Sequence, residues 1–243
     1  MHKAEYKNIF KNEEDHFFYL SVHERIIKLL TKYLPKRGKN IKILDAGCGT
    51  GLLTKKLEKF GTAAGIDIEP EAVFFAKKRG ITVKKASVMD IPYADSSFDI
   101  LTSIDVIYHK KVKDKVALGE FFRVIKPGGL LLMRVPAVKW LKLSHDRYVD
   151  VRERYSMKEI TTKLKTAGFE VVETRRTEGI LLPILIVEHF LQKLFPPKKS
   201  ESSIRTNPKW LNDIVFNLLK VNLPFGVGIT LVARKPIGRE FGA

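Results

Sequence analysis

A glycine-rich stretch near the start of the chain carries the clearest chemical signal. It runs from Asp45 to Gly51 and reads D-A-G-C-G-T-G, with an apolar segment before it and a helical pattern after it. Glycines allow the backbone to turn tightly against a ligand, and the N-terminus of the following helix offers N–H donors to an anionic group. The stretch therefore predicts a ligand-binding loop made by Asp45, Gly47, Cys48, Gly49 and Gly51.

The spacing of these glycines argues against two common nucleotide sites. A dinucleotide loop of the form G-x-G-x-x-G needs glycine at position 52, where Leu52 stands. The phosphate loop G-x-x-x-x-G-K-[ST] does not occur in the sequence. Asp45 either contacts the ligand or orients the backbone of the loop.

Two further acidic residues follow the next two apolar segments. Asp67 ends a segment twenty residues after Gly47, where a carboxylate can accept hydrogen bonds from a ribose diol. Asp90 can accept from the amino group of adenine, with Ile68 and Met89 as apolar contacts. The alternatives are that Asp67 caps the next helix and that Asp90 only forms a turn.

Short apolar segments alternate with helical patterns along most of the chain, which is typical of a parallel α/β sheet with right-handed crossovers. The predicted strands are Ile41–Ala46, Thr62–Ile66, Ile81–Ala86, Phe98–Ser103, Leu130–Val135, Phe169–Thr174 and Gly228–Arg234. The predicted helices are 12–33, 50–60, 70–79, 113–125, 156–168, 185–194 and 210–219.

We expect one domain over residues 1–243. Its parts are a helical cap at 1–38, a core at 39–179 and 223–236, and insertions at 136–155 and 180–222. Connections of that length inside a compact domain are usually lids or binding elements.

The order of these motifs resembles the class I S-adenosylmethionine-dependent methyltransferases, most strongly between Lys39 and Val135. The resemblance also rests on S-F-D-I at 97–100 and on F-R-V-I-K-P-G-G at 122–129. One subgroup has an N-terminal motif similar to D-H-F-F-Y-L at 15–20, followed by Arg25.

This resemblance implies a Rossmann-like, mostly parallel sheet of seven strands with the last strand antiparallel and helices on both faces. It implies S-adenosylmethionine as cofactor and S-adenosylhomocysteine as product. It adds cofactor contacts from Phe18 and Arg25 in the cap and from Ser103, Ile104 and Tyr108 at the end of the fourth strand.

The proton acceptor, if the reaction needs one, has two candidates. His109 follows the fourth strand and His145 lies in the long connection, and histidine titrates near neutrality. The alternatives are a structural histidine at 109 and an ordinary polar loop around 145. No metal site is expected.

The acceptor is expected to be a small or lipid-like molecule. The fourth strand ends in S-I-D-V, not in the N-P-P-Y or D-P-P-Y element of enzymes that methylate base or glutamine amines. This disfavours nucleic acid, although the net charge of +17 would suit it. An RNA or protein methyltransferase and an inactive cofactor-binding module remain alternatives.

Composition limits the remaining classes. One cysteine among 243 residues excludes an intramolecular disulfide, which fits a reducing compartment. The longest apolar run, Ile180–Val187, is far below the roughly 18 residues that a membrane span needs. We therefore expect a cytoplasmic protein, in which residues 180–222 can form a dimer interface and the run Ile180–Val187 can alternatively touch a membrane surface.

Overall fold

The computed structural model describes residues 3–34, 40–195 and 207–237. Seven strands form one sheet: β1 (Lys42–Ala46), β2 (Thr62–Asp67), β3 (Thr82–Lys85), β4 (Phe98–Ile104), β5 (Ile125–Pro136), β6 (Glu170–Thr177) and β7 (Gly228–Arg234). Their spatial order is β3-β2-β1-β4-β5-β7-β6. The first five strands pair in parallel, whereas β7 pairs antiparallel with both β5 and β6. The predicted fold class is confirmed.

Nine helices surround this sheet in the described ranges. They are α1 (Lys3–Asn12), α2 (Phe17–Tyr33), α3 (Leu52–Leu57), α4 (Pro70–Lys78), α5 (Asp114–Val124), α6 (Ser144–Tyr148), α7 (Met157–Thr166), α8 (Leu181–Leu194) and α9 (Lys209–Leu219). A capping box begins α7, with Ser156 accepting from the backbone N–H of Glu159.

The sheet is covered on both faces, because successive side chains of a strand point to opposite sides. On β1, Leu44 belongs to the larger apolar cluster with α5 and α7, whereas Ile43 belongs to a second cluster with α2 and α3. The sheet is thus held between two layers of helices. Its carboxyl-terminal edge stays at one end of the molecule, where loops and the two insertions meet.

Several elements differ from the sequence prediction. Helices α1 and α6 were not among the predicted helices, α2 begins at Phe17 rather than at residue 12, and α8 begins at Leu181 rather than at residue 185. Helix α1 lies within the expected helical cap at 1–38, but its residues read as a polar segment of mixed charge. Strand β5 begins at Ile125, five residues earlier than predicted, because Gly129 lets the chain pass close to β4: an added Cβ there would lie 2.8 Å from the carbonyl oxygen of Asp99. The end of the predicted cap at 35–38, residue 39 and residues 196–206 between α8 and α9 lie outside the described residues.

None of the helices in the described ranges is long and apolar enough to cross a bilayer.

Removing Phe121 should show how much the larger apolar cluster contributes to stability. This α5 side chain is fully buried, so Phe121→Ala should lower the free energy of unfolding by about 3–5 kcal/mol. Phe74 on α4 is 62% exposed, and Phe74→Ala should cost about 0.5 kcal/mol or less. Urea unfolding of both variants measures the difference, and equal losses would contradict the assignment of the core.

Candidate active site

The glycine loop is tightly packed at Gly47 and Gly51 and open at Gly49. Gly47, Gly49 and Gly51 all have positive φ, which disfavours any side chain there. An added Cβ would lie 2.4 Å from Cγ2 of Val106 at Gly47 and 2.7 Å from Cδ1 of Ile81 at Gly51. At Gly49 it would meet no atom within 4 Å. The loop therefore presents its backbone to open space at Gly49, as a close-fitting ligand requires.

Asp45 is held beneath this loop by two hydroxyls. Thr54 on α3 and Thr102 on β4 donate to its two carboxylate oxygens at 2.6 and 2.7 Å, and Asp45 is buried. Burial raises the pKa of Asp45 to about 6, although both hydroxyls act to lower it. These contacts favour the interpretation that Asp45 orients the loop.

Asp67 joins the end of β2 to the glycine loop. Its oxygens accept from the backbone N–H of Gly49 and of Glu69, each at 2.9 Å. Burial raises its pKa. The next residue, Ile68, is 53% exposed, so an apolar side chain faces solvent beside a buried carboxylate. Asp67 does not cap α4, because Glu69 is the N-cap residue and has no side-chain cap hydrogen bond. The carboxylate instead closes a turn before α4 and lies against the glycine loop.

The remaining residues predicted on this side differ in burial. Met89 is partly buried, and its sulfur accepts from the backbone N–H of Lys113 at 3.2 Å. Asp90 is exposed, and its own N–H closes a turn on the carbonyl of Ser87 at 3.1 Å. Cys48 is buried, and burial raises the pKa of its thiol, which fits a small loop residue better than a nucleophile.

Helix α1 covers this region, and sequence reasoning missed its residues. Tyr6 is buried, and its pKa is raised by burial and by the charge of Asp67, which places the phenol near that carboxylate. Phe10 stacks on Phe75 of α4 with ring centroids 4.9 Å apart. The four-residue spacing of Tyr6 and Phe10 was the available signal for an amphipathic turn.

A buried ion pair joins the cap to the glycine loop. Glu13, just after α1, lies 2.6 Å from Nη2 of Arg79 and accepts a hydrogen bond from the hydroxyl of Thr50. Nε of Arg79 donates to the carbonyl of Thr50 at 3.1 Å. Because the cap, the loop and the end of α4 share one guanidinium, movement of any of them disturbs the other two.

A second polar cluster lies at the ends of β4 and β5. Arg134 on β5 pairs with Asp105, which follows β4, and with Glu178 at 2.7 Å. The ring of Phe18 covers the guanidinium with its centroid 4.9 Å away. We call Arg25, Asp105, Arg134, Glu178 and Thr230 the acceptor-end cluster.

Each member of this cluster has one buried polar atom without a hydrogen-bond partner in the described structure. These atoms are Arg25 Nε, Asp105 Oδ1, Arg134 Nε, Glu178 Oε1 and Thr230 Oγ1. The predicted cofactor contact Ser103 is buried and its hydroxyl also has no partner, but it lies on the opposite face of the sheet, on the side of Leu101. Buried polar atoms are normally hydrogen-bonded, since desolvating them without a partner costs about 1–3 kcal/mol each. Their concentration here is typical of a place that a polar ligand or bound water completes.

Arg25 belongs to this cluster by position. Its Nη2 donates to the carbonyl of Leu219 at 3.1 Å, and its Nε lies 4.0 Å from Oε1 of Glu178. The expected pairing of Arg25 with the carboxylate of the cofactor stays a prediction. Ile104 and Tyr108 are partly buried on either side of Asp105, and burial raises the pKa of the Tyr108 phenol.

The two histidines differ in their surroundings. Burial lowers the pKa of His109, while hydrogen bonds to the backbone of Val149 and Asp150 act to raise it. These contacts favour a structural role for His109 in holding the long connection. His145 is partly buried on the short helix α6, and its carbonyl accepts from Val149 N at 3.0 Å.

Comparison with known sequences identifies the fold family. Residues 44–133 match a family described as "Methyltransferase domain". The mouse protein named "Probable tRNA methyltransferase 9B" is 28% identical over 141 residues, which are 57% of this chain and 31% of that protein. Phosphoethanolamine N-methyltransferase 1 of Arabidopsis thaliana is 31% identical over 58% of this chain and 31% of its own length. The chain therefore spans about a third of these two relatives.

A solved structure extends the likeness to the whole fold. It is titled "Complex between the Haloferax volcanii Trm112 methyltransferase activator and the putative methyltransferase". The two chains share 18% identity with a TM-score of 0.66, over 98% of this chain and 96% of the other.

These matches support a class I S-adenosylmethionine-dependent methyltransferase. Enzymes of this family take a methyl group from S-adenosylmethionine and release S-adenosylhomocysteine. The glycine loop, Asp67 and the acceptor-end cluster lie along the carboxyl ends of β1, β2, β4 and β5, the edge where open α/β sheets bind ligands.

The glycine loop can be tested with a matched pair of glycines. Gly47→Ala adds a Cβ against Val106, so it should lose about 1–3 kcal/mol of stability beyond the cost of its positive φ and should abolish S-adenosylhomocysteine binding. Gly80 has a similar φ but no atom within 4 Å of an added Cβ. Gly80→Ala should therefore keep full binding in calorimetry. The second change Val106→Ala should recover part of the loss in Gly47→Ala, and unchanged binding in Gly47→Ala would contradict the loop assignment.

Asp45 should give the stability a characteristic dependence on pH. Its pKa of about 6 in the folded protein exceeds the ordinary value of 3.8, so the folded state holds the proton more tightly. The free energy of unfolding should then fall as pH rises from about 4 to about 6, by up to about 1.4 kcal/mol per pH unit. Asp45→Asn should remove this part of the profile in urea unfolding at several pH values. Parallel profiles for variant and wild type would show that Asp45 is not buried as described.

Proposed function

We propose that the protein transfers the methyl group of S-adenosylmethionine to an oxygen, nitrogen or carbon atom of a small or lipid-like acceptor. The observation that carries the acceptor class is the enclosure of the acceptor-end cluster. Arg134 is 4% exposed beneath Phe18, and Glu178 is 1% exposed. Side chains this deeply buried are out of reach of the surface of a folded macromolecule, which supports a small acceptor.

The residues around the glycine loop fit the proposed cofactor. The open backbone at Gly49 suits the methionine carboxylate, which backbone N–H groups at a helix start can bind. Asp67 retains lone pairs for the ribose hydroxyls, since each carboxylate oxygen can accept two hydrogen bonds. The exposed Ile68 and the partly buried Met89 suit the two faces of the adenine, with Asp90 at its amino edge.

When bound, S-adenosylmethionine supplies a methyl group already activated on a sulfonium for in-line transfer. The task of the protein is then to align the acceptor, exclude water and take up a proton if one is released. Tyr6 of α1, which is buried, and Tyr19 of α2, which is partly buried, are candidates for excluding water.

The acceptor-end cluster offers both donors and acceptors to a bound molecule. Nε of Arg134 is a donor, whereas the unpartnered oxygens of Asp105 and Glu178 are acceptors. Burial raises the pKa of Asp105, while Arg134 lowers it. Where the acceptor atom carries a proton, the unpartnered oxygen of Asp105 is our first candidate to receive it, ahead of His109 and His145.

RNA is the second candidate acceptor, because of the net charge of +17 and the tRNA methyltransferase named among the relatives. RNA binding would weaken steeply as salt rises. The buried position of the acceptor-end cluster favours the smaller acceptor.

Transfer of labelled methyl groups into a cell extract separates these possibilities. With methyl-labelled S-adenosylmethionine, we expect label in the small-molecule or organic-solvent fraction and none in precipitated RNA or protein. Glu178→Gln should lower this transfer yet keep S-adenosylhomocysteine binding, because Glu178 belongs to the acceptor side. Asp67→Ala should weaken the binding of S-adenosylmethionine and of S-adenosylhomocysteine by the same amount, about 1.5–3 kcal/mol. Label found only in RNA would overturn the acceptor class, and binding without transfer to any fraction would overturn the activity.

A further inference from the structure

Helices α8 and α9 expose large apolar side chains, unlike ordinary surface helices. A surface helix normally buries its apolar face and shows its polar face to water. On α8 no residue is buried, and six large apolar side chains are at least half exposed: Ile184, Val187, Phe190, Leu191, Leu194 and the adjoining Phe195. On α9 and just after it, the exposed apolar residues are Trp210, Ile214, Leu218 and Val221. We call these ten residues the apolar stripes.

Polar groups attach the inner sides of both helices to the rest of the protein. On α8, Gln192 accepts from the backbone N–H of Ser144 at 2.8 Å, and His189 Nδ1 lies 2.7 Å from the carbonyl oxygen of Lys142. On α9, Asn212 is buried, and the carbonyl of Leu219 accepts from Arg25. The stripes therefore face outward while the polar sides face the fold, which leaves a large apolar surface without a partner in the described residues.

A basic groove borders the end of α9. It has a volume of about 180 Å³ and lies between α2, β6 and the residues after α9. Its charged lining residues are Glu24, Arg25, Lys28, Lys32, Arg175 and Lys220. Lys28 pairs with Glu24, and Lys32 and Arg175 both pair with Glu173, so the groove keeps a net positive charge that these two carboxylates reduce. Lys220 connects the groove to the stripe of α9, since its neighbours Leu218 and Val221 belong to that stripe.

We propose that the apolar stripes and the basic groove together dock the protein on an anionic lipid bilayer. Apolar side chains entering the interface and cations binding lipid phosphates are the two signals that stable peripheral attachment combines. The aromatic side chains of Trp210, Phe190 and Phe195 suit the headgroup level, where aromatic residues concentrate.

Two other occupants fit the surface less well. A second copy of this chain would bring another net charge of +17, and the like charges would repel beside the groove. RNA would use the cations but would leave the apolar stripes exposed to water. An anionic bilayer would contact the apolar stripes and the basic groove at once. Binding of the protein to a bilayer is measured without turnover, so this proposal does not depend on the proposed transfer reaction.

Vesicle flotation of the full chain tests this docking. Vesicles of phosphatidylcholine with about one-third phosphatidylglycerol should carry the protein, vesicles of phosphatidylcholine alone should carry much less, and added salt should weaken the binding. Equal binding to both vesicle types, or to neither, would overturn the proposal.

Paired variants separate the two contributions. Leu191→Asp with Leu194→Asp should weaken vesicle binding by roughly tenfold or more, whereas Val116→Asp, an exposed apolar position on α5, should leave it unchanged. Lys28→Glu with Lys220→Glu should weaken binding by roughly tenfold and reduce its salt dependence. The control variant combines Lys158→Glu and Lys165→Glu, at two exposed positions on α7, and has the same change in charge. It should bind anionic vesicles more strongly than the groove variant.

Circular dichroism and thermal unfolding establish that each variant is folded. Stripe variants that still bind vesicles like the wild type would overturn the proposal. So would a wild-type dimer in sedimentation velocity that Leu194→Asp dissociates, because the stripes would then belong to a second copy. Folded stripe variants that stay in solution while both controls float with anionic vesicles would support it.

Discussion

The close approach of the glycine loop to the end of β2 is the constraint on which the site depends. The backbone N–H groups of Gly47 and Cys48 both donate to the carbonyl oxygen of Ile66, at 2.8 and 2.9 Å. Gly65 allows this approach, because an added Cβ there would lie 2.6 Å from the sulfur of Cys48. Once the loop is fixed there, Gly49 reaches Asp67 and the two parts of the cofactor site become one.

Two sets of buried ion pairs then hold the elements around the site together. Arg79 joins the cap, the glycine loop and α4 through Glu13 and Thr50, and Arg134 joins β5 to Asp105 and Glu178. Removing one partner of such a buried pair leaves an uncompensated charge, which costs more than the pair contributes. The pairs therefore do more to specify one arrangement of the cap and insertions than to stabilise the chain.

The two proposed functions use different parts of the molecule, one buried and one exposed. The carboxyl ends of β1, β2, β4 and β5 hold the residues proposed to bind cofactor and acceptor, under α1 and α2. The outer faces of α8 and α9 show apolar side chains beside a basic groove. A lipid-like acceptor would link the two proposals. It would come from the bilayer on which the protein is proposed to dock.

The sequence by itself determined the strand-helix alternation, the glycine loop and the family. These depend on local properties: glycine where φ is positive, apolar runs of strand length, and an acidic residue after the strand. Only the tertiary structure showed that both oxygens of Asp45 are held by Thr54 and Thr102, and that Arg25 lies against Glu178 and Leu219. It also revealed α1, the acceptor-end cluster and the outward apolar stripes. Those features join residues from distant parts of the chain, and a charge or an apolar stripe in a sequence does not say which face the fold will bury.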